Sequence, residues 1–417
     1  MSNPTESSLT ERRYLVPFIL ITSLFFLWAF GVNLNDVLIP HFKKAFQLTD
    51  LQSSLIQAAF FGGYFLAALP AGWLMERIGY KRGILTGLVI CATGALLFIP
   101  AANSLLYSFF LFALFVMACG QSFLEVAANP YVTILGPPES SERRLNLAQS
   151  FNSVGAVATP YIGAVFILTN TQAGVAAADE VRNVIGPYVV IAAVFLLVAV
   201  MIALTHLPET RREVTGAAAA HPRLGDALRH KHLVSGVIAQ FAYVGAQVGV
   251  GSFIIRFAEH TVPGLQDKDA SVYLQYHWVG FMIGRFAGSF LMKYIAPPRL
   301  LGIFAGCAFI CACVAIAASG TLPVWGLVMI GFFHSIMFPT IFALGIKGLG
   351  PYTKLGSSLL VMAIIGGAVF PAVMGYVSDL TSIAVAFSIP LLCYLYIWYF
   401  AVKGCIPAQV EAESVAA

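Results

Sequence analysis

Two carboxylates stand in stretches otherwise built for lipid. Asp36 lies in NLNDVLIP, Asn33 to Pro40, at the far end of an apolar run that begins near Tyr14; Glu125 lies in LEVAANPY, deep inside another apolar run. An ionised group in a membrane helix costs at least ~2.5 to 3.5 kcal/mol on insertion scales, so it normally faces a cavity and serves transport. Neither run contains a lysine or arginine to neutralise its acid. Desolvation raises a carboxyl pKa toward neutrality, so two such groups are suited to taking up and releasing protons. They are the candidate ion-coupling pair. Asp36 also sits just before Pro40 and His41, so a helix end in water is the lesser alternative for it. Two further titratable residues, His277 and His334, fall within apolar runs, where a lone histidine is more often a packed, hydrogen-bonded residue than a switch.

The elements that must hold these groups follow from composition. Of 417 residues, 59% are hydrophobic and only 10% charged, far from the balance of a soluble domain. Apolar stretches of about 20 residues, enough for a helix to cross a ~30 Å hydrocarbon layer, recur along the chain. Twelve spans are expected at roughly 14–40, 51–75, 81–101, 104–135, 145–169, 184–206, 232–258, 270–295, 299–320, 323–347, 355–379 and 382–403. The first follows Arg12 and Arg13 but is about twice as long as a signal-peptide core and lacks a small-residue cleavage site, so it reads as span 1. Of the lysines and arginines, only Lys43, Lys44, Arg182 and Lys268 fall in outside loops if the N-terminus is cytoplasmic, with Arg256 and Arg285 inside spans. That asymmetry puts both termini in the cytoplasm of a bacterial inner membrane. The net charge of +4 thus reports topology and gives no reason to expect a nucleic-acid partner. The seven cysteines show no metal or redox spacing and read as packing residues. No metal and no cofactor is expected.

The mid-chain stretch His206 to Leu233 is the one long polar connection, and six spans lie on each side of it. Pro130 and Gly136 are echoed by Pro339 and Gly345, Gly155 and Pro160 by Gly366 and Pro371, and Gly31 and Asn33 by Gly245 and Gln247. The near-constant lag of about 210 residues points to a duplicated six-helix unit. The expected organisation is a tail 1–13, a first six-helix bundle 14–206, a linker 207–231, a second bundle 232–403 and a tail 404–417. Two pseudo-symmetric bundles of an all-α polytopic membrane protein suit a rocking transporter with its site near the midplane. The Gly and Pro features of spans 5 and 11 suit bends or close packing.

The loop GWLMERIGYKR, Gly72 to Arg82, resembles the signature loop of the major facilitator superfamily, with Glu76 where aspartate is more usual. Gly72 suits close helix approach, Gly79 a tight turn, and Glu76, Arg77 and Arg82 charge contacts that change between states. The stretches NLNDVLIPHFKKAF, LEVAANPYVTILGP, RLNLAQSFNSVGA, YVGAQ, IGRFAGS, PTIFALGIKGLG and VMAIIGGAVFPAVMGYVSD narrow the resemblance to the fucose:proton symporter family, which includes glucose and galactose transporters. The resemblance implies that Asp36 and Glu125 line a central cavity and act in proton coupling and sugar recognition. It also implies that Asn33, Gln149 and Asn152 belong to that cavity, and that Arg285 has a structural or gating role.

A sugar site needs amides and hydroxyls to meet ring hydroxyls, and an aromatic face for the ring's C–H side. Asn33, Gln57, Asn129, Gln149 and Asn152 supply amides in the first half; Gln149 and Asn152 share one helix face. Gln247, His277 and Trp278 are the candidates in the second half. Phe338, where the family suggests a tyrosine, lacks a hydroxyl and shifts the expected substrate from fucose toward glucose or galactose. The expectation is a monomeric secondary transporter, not an enzyme, taking up a monosaccharide with a proton or sodium ion. An antiporter exporting sugars or drugs and a non-transporting sugar sensor are the rivals. Catalysis ranks last, since no HExxH pair, nucleophile elbow or Ser/His constellation is present.

Overall fold

The computed structural model describes residues 8–29, 50–167, 185–207, 223–262, 264–265 and 267–407. Asn33 and Asp36 lie outside them. The described chain is helical, with no strand among these residues. A bilayer allows little else, because each backbone polar group must be satisfied within its own segment. Among the described residues nine helical stretches are long and apolar enough to cross a membrane, and one of them, Leu55–Ser104, carries both span 2 and span 3. These two spans part at Gly79, whose φ of 80° is open to glycine and strained for other residues. The signature-loop glycine therefore makes the turn that the sequence suggested. Spans 5 and 8, Ser141–Ile167 and Asp267–Leu291, have spanning length too, but carry more polar residues, among them Gln149, Asn152, His277 and Arg285.

The chain forms two compact units. One comprises Glu11–Tyr131 and Phe151–Ala220. Its core buries Phe25, Trp28, Ala68, Ala71, Met75, Leu88, Ala113, Met117 and Val126. Gly120 allows a close approach: a Cβ there would lie 2.5 Å from the backbone nitrogen of Cys91 and 2.8 Å from the carbonyl of Gly87. Small residues at such crossings let membrane helices gain dispersion contact where lipid removes the hydrophobic drive. Span 6, Ile185–Leu204, is peripheral, with 33% of its apolar window buried. Lys81 caps it by donating to the carbonyls of Ala203 and Thr205, both at 2.9 Å, which suits the negative end of a helix dipole.

The other unit comprises Met1–Thr10, Val132–Ser150 and His221–Ala417. The loop after span 4 and the first turns of span 5 thus pack with the C-terminal spans. Glu142, whose side chain is only 2% exposed, accepts from Lys347 Nζ at 2.6 Å, and Asn146 Nδ2 donates to Thr340 Oγ1 at 3.0 Å. A buried carboxylate that loses its cation is costly, although Lys347 is itself 48% exposed and water screens part of the loss. Lys347→Met is expected to destabilise the protein by about 1–2 kcal/mol. The paired Glu142→Gln/Lys347→Met variant should recover most of that in a thermal unfolding assay, and an equal loss in both variants would count against the ion pair.

Span 10 is broken. Leu322–His334 and Met337–Ile346 are separate helices, with Ser335 and Ile336 between them. The apolar window across the pair is 83% buried, so the irregular backbone is enclosed by protein, as it must be at membrane depth. Span 11 is interrupted as well: a 3-10 turn, Ala363–Ile365, separates Thr353–Met362 from Gly366–Leu380. The interruption precedes Gly366, while Pro371 lies within the following helix. Gly366 sits on span 7, where a Cβ would come within 2.2 Å of the Phe241 carbonyl.

Candidate transport site

In the first unit the acid at the centre is Glu125, 8% exposed in span 4, Tyr107–Ile134. Gln121 and Asn129, both fully buried, lie one turn before and one turn after it, so the three side chains form a polar stripe along one helix face. Tyr64 of span 2 meets the stripe. Its hydroxyl receives the indole N–H of Trp28 at 3.1 Å and donates to Gln121 Oε1 at 3.4 Å, and it lies within electrostatic reach of Glu125. Ser122 fixes the same turn by donating to the Tyr64 carbonyl at 3.1 Å. Trp28 is held in turn by stacking on Phe25, with ring centres 5.7 Å apart. Spans 1, 2 and 4 are therefore joined by a chain of hydroxyl, amide and indole groups beside one buried carboxyl.

Span 5 adds Asn152, half-buried, whose amide donates to the Phe25 carbonyl of span 1 at 3.0 Å. One turn on, Gly155 packs so closely that a Cβ would lie 2.5 Å from the Phe26 carbonyl. Gln57 is exposed on span 2. Sequence reading missed Trp28, Tyr64 and Gln121. The spacing of four residues between Gln121 and Glu125 was the available signal for one of them.

In the second unit Gln149 is buried at the end of the segment shared with the C-terminal spans. Arg285 of span 8 reaches it, donating from Nη1 to its main-chain carbonyl and, at 3.5 Å, to its side-chain oxygen. His277 is fully buried, with Nδ1 2.9 Å from the Leu327 carbonyl; donation to that oxygen fixes the proton on Nδ1. His334 bonds the Tyr394 hydroxyl through Nε2 at 2.7 Å and lies edge-on to Tyr243 and His277. Trp278 is half-buried, edge-on to His277 and Phe281 and over Gly251. Gln247 is half-buried on span 7. Phe338 packs edge-on to Tyr243 with ring centres 6.3 Å apart, and so presents no polar atom there.

Of the signature-loop residues, Gly72 is buried and Glu76 half-buried, while Arg77 and Arg82 are exposed. Arg77 covers the Trp73 ring, its guanidinium carbon 3.8 Å from the ring centre. Among the described residues no group of three or more His, Cys, Asp and Glu could hold a metal ion.

The family model of the Major Facilitator Superfamily matches residues 21–363. A glucose/galactose transporter of Brucella abortus is 46% identical over 408 residues, 97% of this chain and 98% of the relative. The L-fucose-proton symporter of Escherichia coli is 44% identical over 409 residues, 94% of this chain and 93% of the relative. The chain belongs to the fucose:proton symporter family of the major facilitator superfamily. A crystal structure of FucP in the outward conformation, 43% identical, superposes with a TM-score of 0.88 over 94% of this chain and 99% of that one. Family membership accounts for the twelve-helix design, and it places the chain among transporters rather than enzymes.

Proposed function

We propose that the protein is a proton-coupled monosaccharide symporter that takes up glucose or galactose by alternating access, with fucose a poorer substrate. The observation that carries this reading is the buried carboxyl of Glu125, flanked by Gln121 and Asn129 and joined by Tyr64 and Trp28. Burial favours the neutral form of a carboxyl, which suits one beside amide and phenol groups to taking up and releasing a proton. Neighbouring amides can meet sugar hydroxyls from the same wall. Asp36 shares the proton with Glu125, and Asn33, Asn129, Gln149 and Asn152 form the polar side of the sugar site. Gln247 and Trp278 contribute from the second half, and His277 acts through the packing around Trp278. Gln57 is a further amide for the sugar.

The relatives named for glucose and galactose support a hexose that retains the C6 hydroxyl fucose lacks, and the apolar Phe338 removes a hydroxyl that could have met fucose. The protein works as a monomer in the bacterial inner membrane with both termini cytoplasmic. In that orientation the Glu142–Lys347 and Asn146–Thr340 bonds lie toward the cytoplasm and must release when the cytoplasmic side opens. Arg77, Arg82 and Glu76 take part in the same transition.

The test is uptake of labelled glucose, galactose and fucose into proteoliposomes under an inward proton gradient and, separately, an inward sodium gradient. Accumulation of glucose or galactose driven by protons is expected. Accumulation driven by sodium alone, or of fucose in preference, would contradict the assignment.

A further inference from the structure

Span 10 breaks just after His334. Pro339 has no N–H to give the Ser335 carbonyl, four residues earlier, and Arg285 Nε of span 8 takes that oxygen at 3.0 Å. His334 itself is surrounded by rings from three other spans. Tyr243 of span 7, His277 of span 8 and Tyr394 of span 12 have ring centres 5.7, 6.0 and 5.5 Å from its own. All four side chains are fully buried. Spans 8 and 10 approach closely here, since a Cβ on Gly331 would strike the His277 carbonyl.

One hydrogen bond closes within the group, between His334 Nε2 and the Tyr394 hydroxyl at 2.7 Å. His277 Nδ1 is taken by the Leu327 carbonyl at 2.9 Å. Three polar atoms remain: His334 Nδ1, His277 Nε2 and the Tyr243 hydroxyl have no hydrogen-bond partner among the described residues. Protein interiors seldom leave buried polar atoms unpaired, and three of them on adjoining rings call for a shared partner. Its chemistry is constrained. Because Nδ1 of His277 donates to a carbonyl, Nε2 of the neutral ring is a bare lone pair, so the partner must bring a hydrogen. The Tyr243 hydroxyl can give or take one. The lone pair opposes an anion. Arg285, within electrostatic reach of Tyr243, opposes a cation, and none of the four side chains is a carboxylate. A sugar is too large for a place whose lining side chains are all closed to solvent.

We infer that His277, His334 and Tyr243 hold an ordered water, which donates to His277 Nε2 and bonds His334 Nδ1 and the Tyr243 hydroxyl. Three partners are the usual complement of a buried water. The water ties spans 7, 8 and 10 together at the break, and the bond from His334 to Tyr394 extends the tie to span 12. Ordered water is one of the means by which interrupted membrane helices are held. The site is independent of which sugar or ion the protein carries.

The experiment is X-ray hydroxyl-radical footprinting of the full chain in nanodiscs, read by mass spectrometry, because radicals born from a held water oxidise the side chains beside it even where bulk solvent does not reach. Tyr243 should be modified several-fold faster than Tyr131 and Tyr188, which are equally buried tyrosines of the other unit. Equal protection of all three would overturn the inference. A second arm mixes the protein rapidly into oxygen-18 water before the pulse. Oxygen-18 should enter Tyr243 and His277 with a lag behind exposed residues such as Tyr294 and Tyr376, as a held water exchanges slowly. Incorporation without a lag would show solvent passing freely through the second half and would also overturn the held water. His277→Phe, which removes the lone pair, should bring Tyr243 down to the level of Tyr188; the two measurements on the unmodified protein decide the matter even if that variant does not fold.

Discussion

Replacing Asp36 by asparagine is expected to abolish gradient-driven sugar accumulation while leaving exchange of sugar across the membrane measurable. One pH unit across a membrane stores about 1.4 kcal/mol per proton, enough at one proton per sugar for roughly tenfold accumulation. In Asp36→Asn the accumulation ratio should fall to about one, because an amide of the same shape keeps hydrogen bonding but binds no proton. Glu125→Gln should do the same. Its carboxyl stands between Gln121 and Asn129 on one helix face, so the amide substitution removes the titratable group with little change in volume. Either variant accumulating sugar like the unmodified protein would leave its carboxyl without a coupling role. In Asp36→Asn that outcome would reduce Asp36 to a helix end. The reciprocity of linked binding adds a second readout: if proton and sugar sites are coupled, protonation changes sugar affinity by the same factor that sugar changes proton affinity. In both amide variants sugar affinity should therefore become insensitive to pH in the range where the unmodified protein responds.

The largest expected effect on stability lies at Arg144. Its side chain is fully buried, and every nitrogen of its guanidinium donates to a neighbouring oxygen. Nε bonds the Val132 carbonyl at 2.7 Å, Nη1 bonds the Leu9 carbonyl at 2.8 Å and the Ser140 hydroxyl at 2.9 Å, and Nη2 bonds the Thr133 carbonyl. The first described residues of the chain are thus fastened to the end of span 4. Thr10 adds a bond to the Leu135 carbonyl at 2.7 Å and Ser140 one to the Ser8 carbonyl at 3.2 Å. Arg144→Met would strand several of these acceptors away from water, each at a cost of about 1–3 kcal/mol. The expected total loss exceeds ~3 kcal/mol, read as a fall of at least about 5 °C in the thermal unfolding midpoint. Arg144→Lys should recover only part of it, since one ammonium cannot reproduce the fork. A midpoint unchanged in Arg144→Met would show that the carbonyl cluster finds other partners.

Arg144 also marks a limit of what the sequence discloses. As one member of an arginine pair beside an apolar run it reads as a topology signal, and only the folded loop reveals that it is enclosed by carbonyls. The spans themselves were legible because lipid imposes a length and a composition that survive in the sequence, and Gly79 announced its turn through the conformation only glycine adopts freely. The break in span 10 was concealed. The residues at the break, Ser335 and Ile336, are ordinary helix residues, and the cause, Pro339, lies beyond it. Its partner Arg285 comes from another span altogether, so no local pattern could join them. Glu125 was legible as a buried candidate because a carboxylate inside an apolar run has few structural excuses, and family motifs made Gln149 and Asn152 candidates beside it. The Trp28–Tyr64–Gln121 chain was not recognisable, since aromatic and amide residues on three separate spans become one network only through helix packing.

The central claim is that sugar and protons cross together, and the most direct measurement is the external pH of lightly buffered, de-energised proteoliposomes on addition of glucose or galactose. Sugar moving inward down its own gradient should carry protons with it, producing an alkalinisation of the medium that is absent in Asp36→Asn and in Glu125→Gln. Sugar entry without any alkalinisation in the unmodified protein, or acidification in its place, would contradict proton symport.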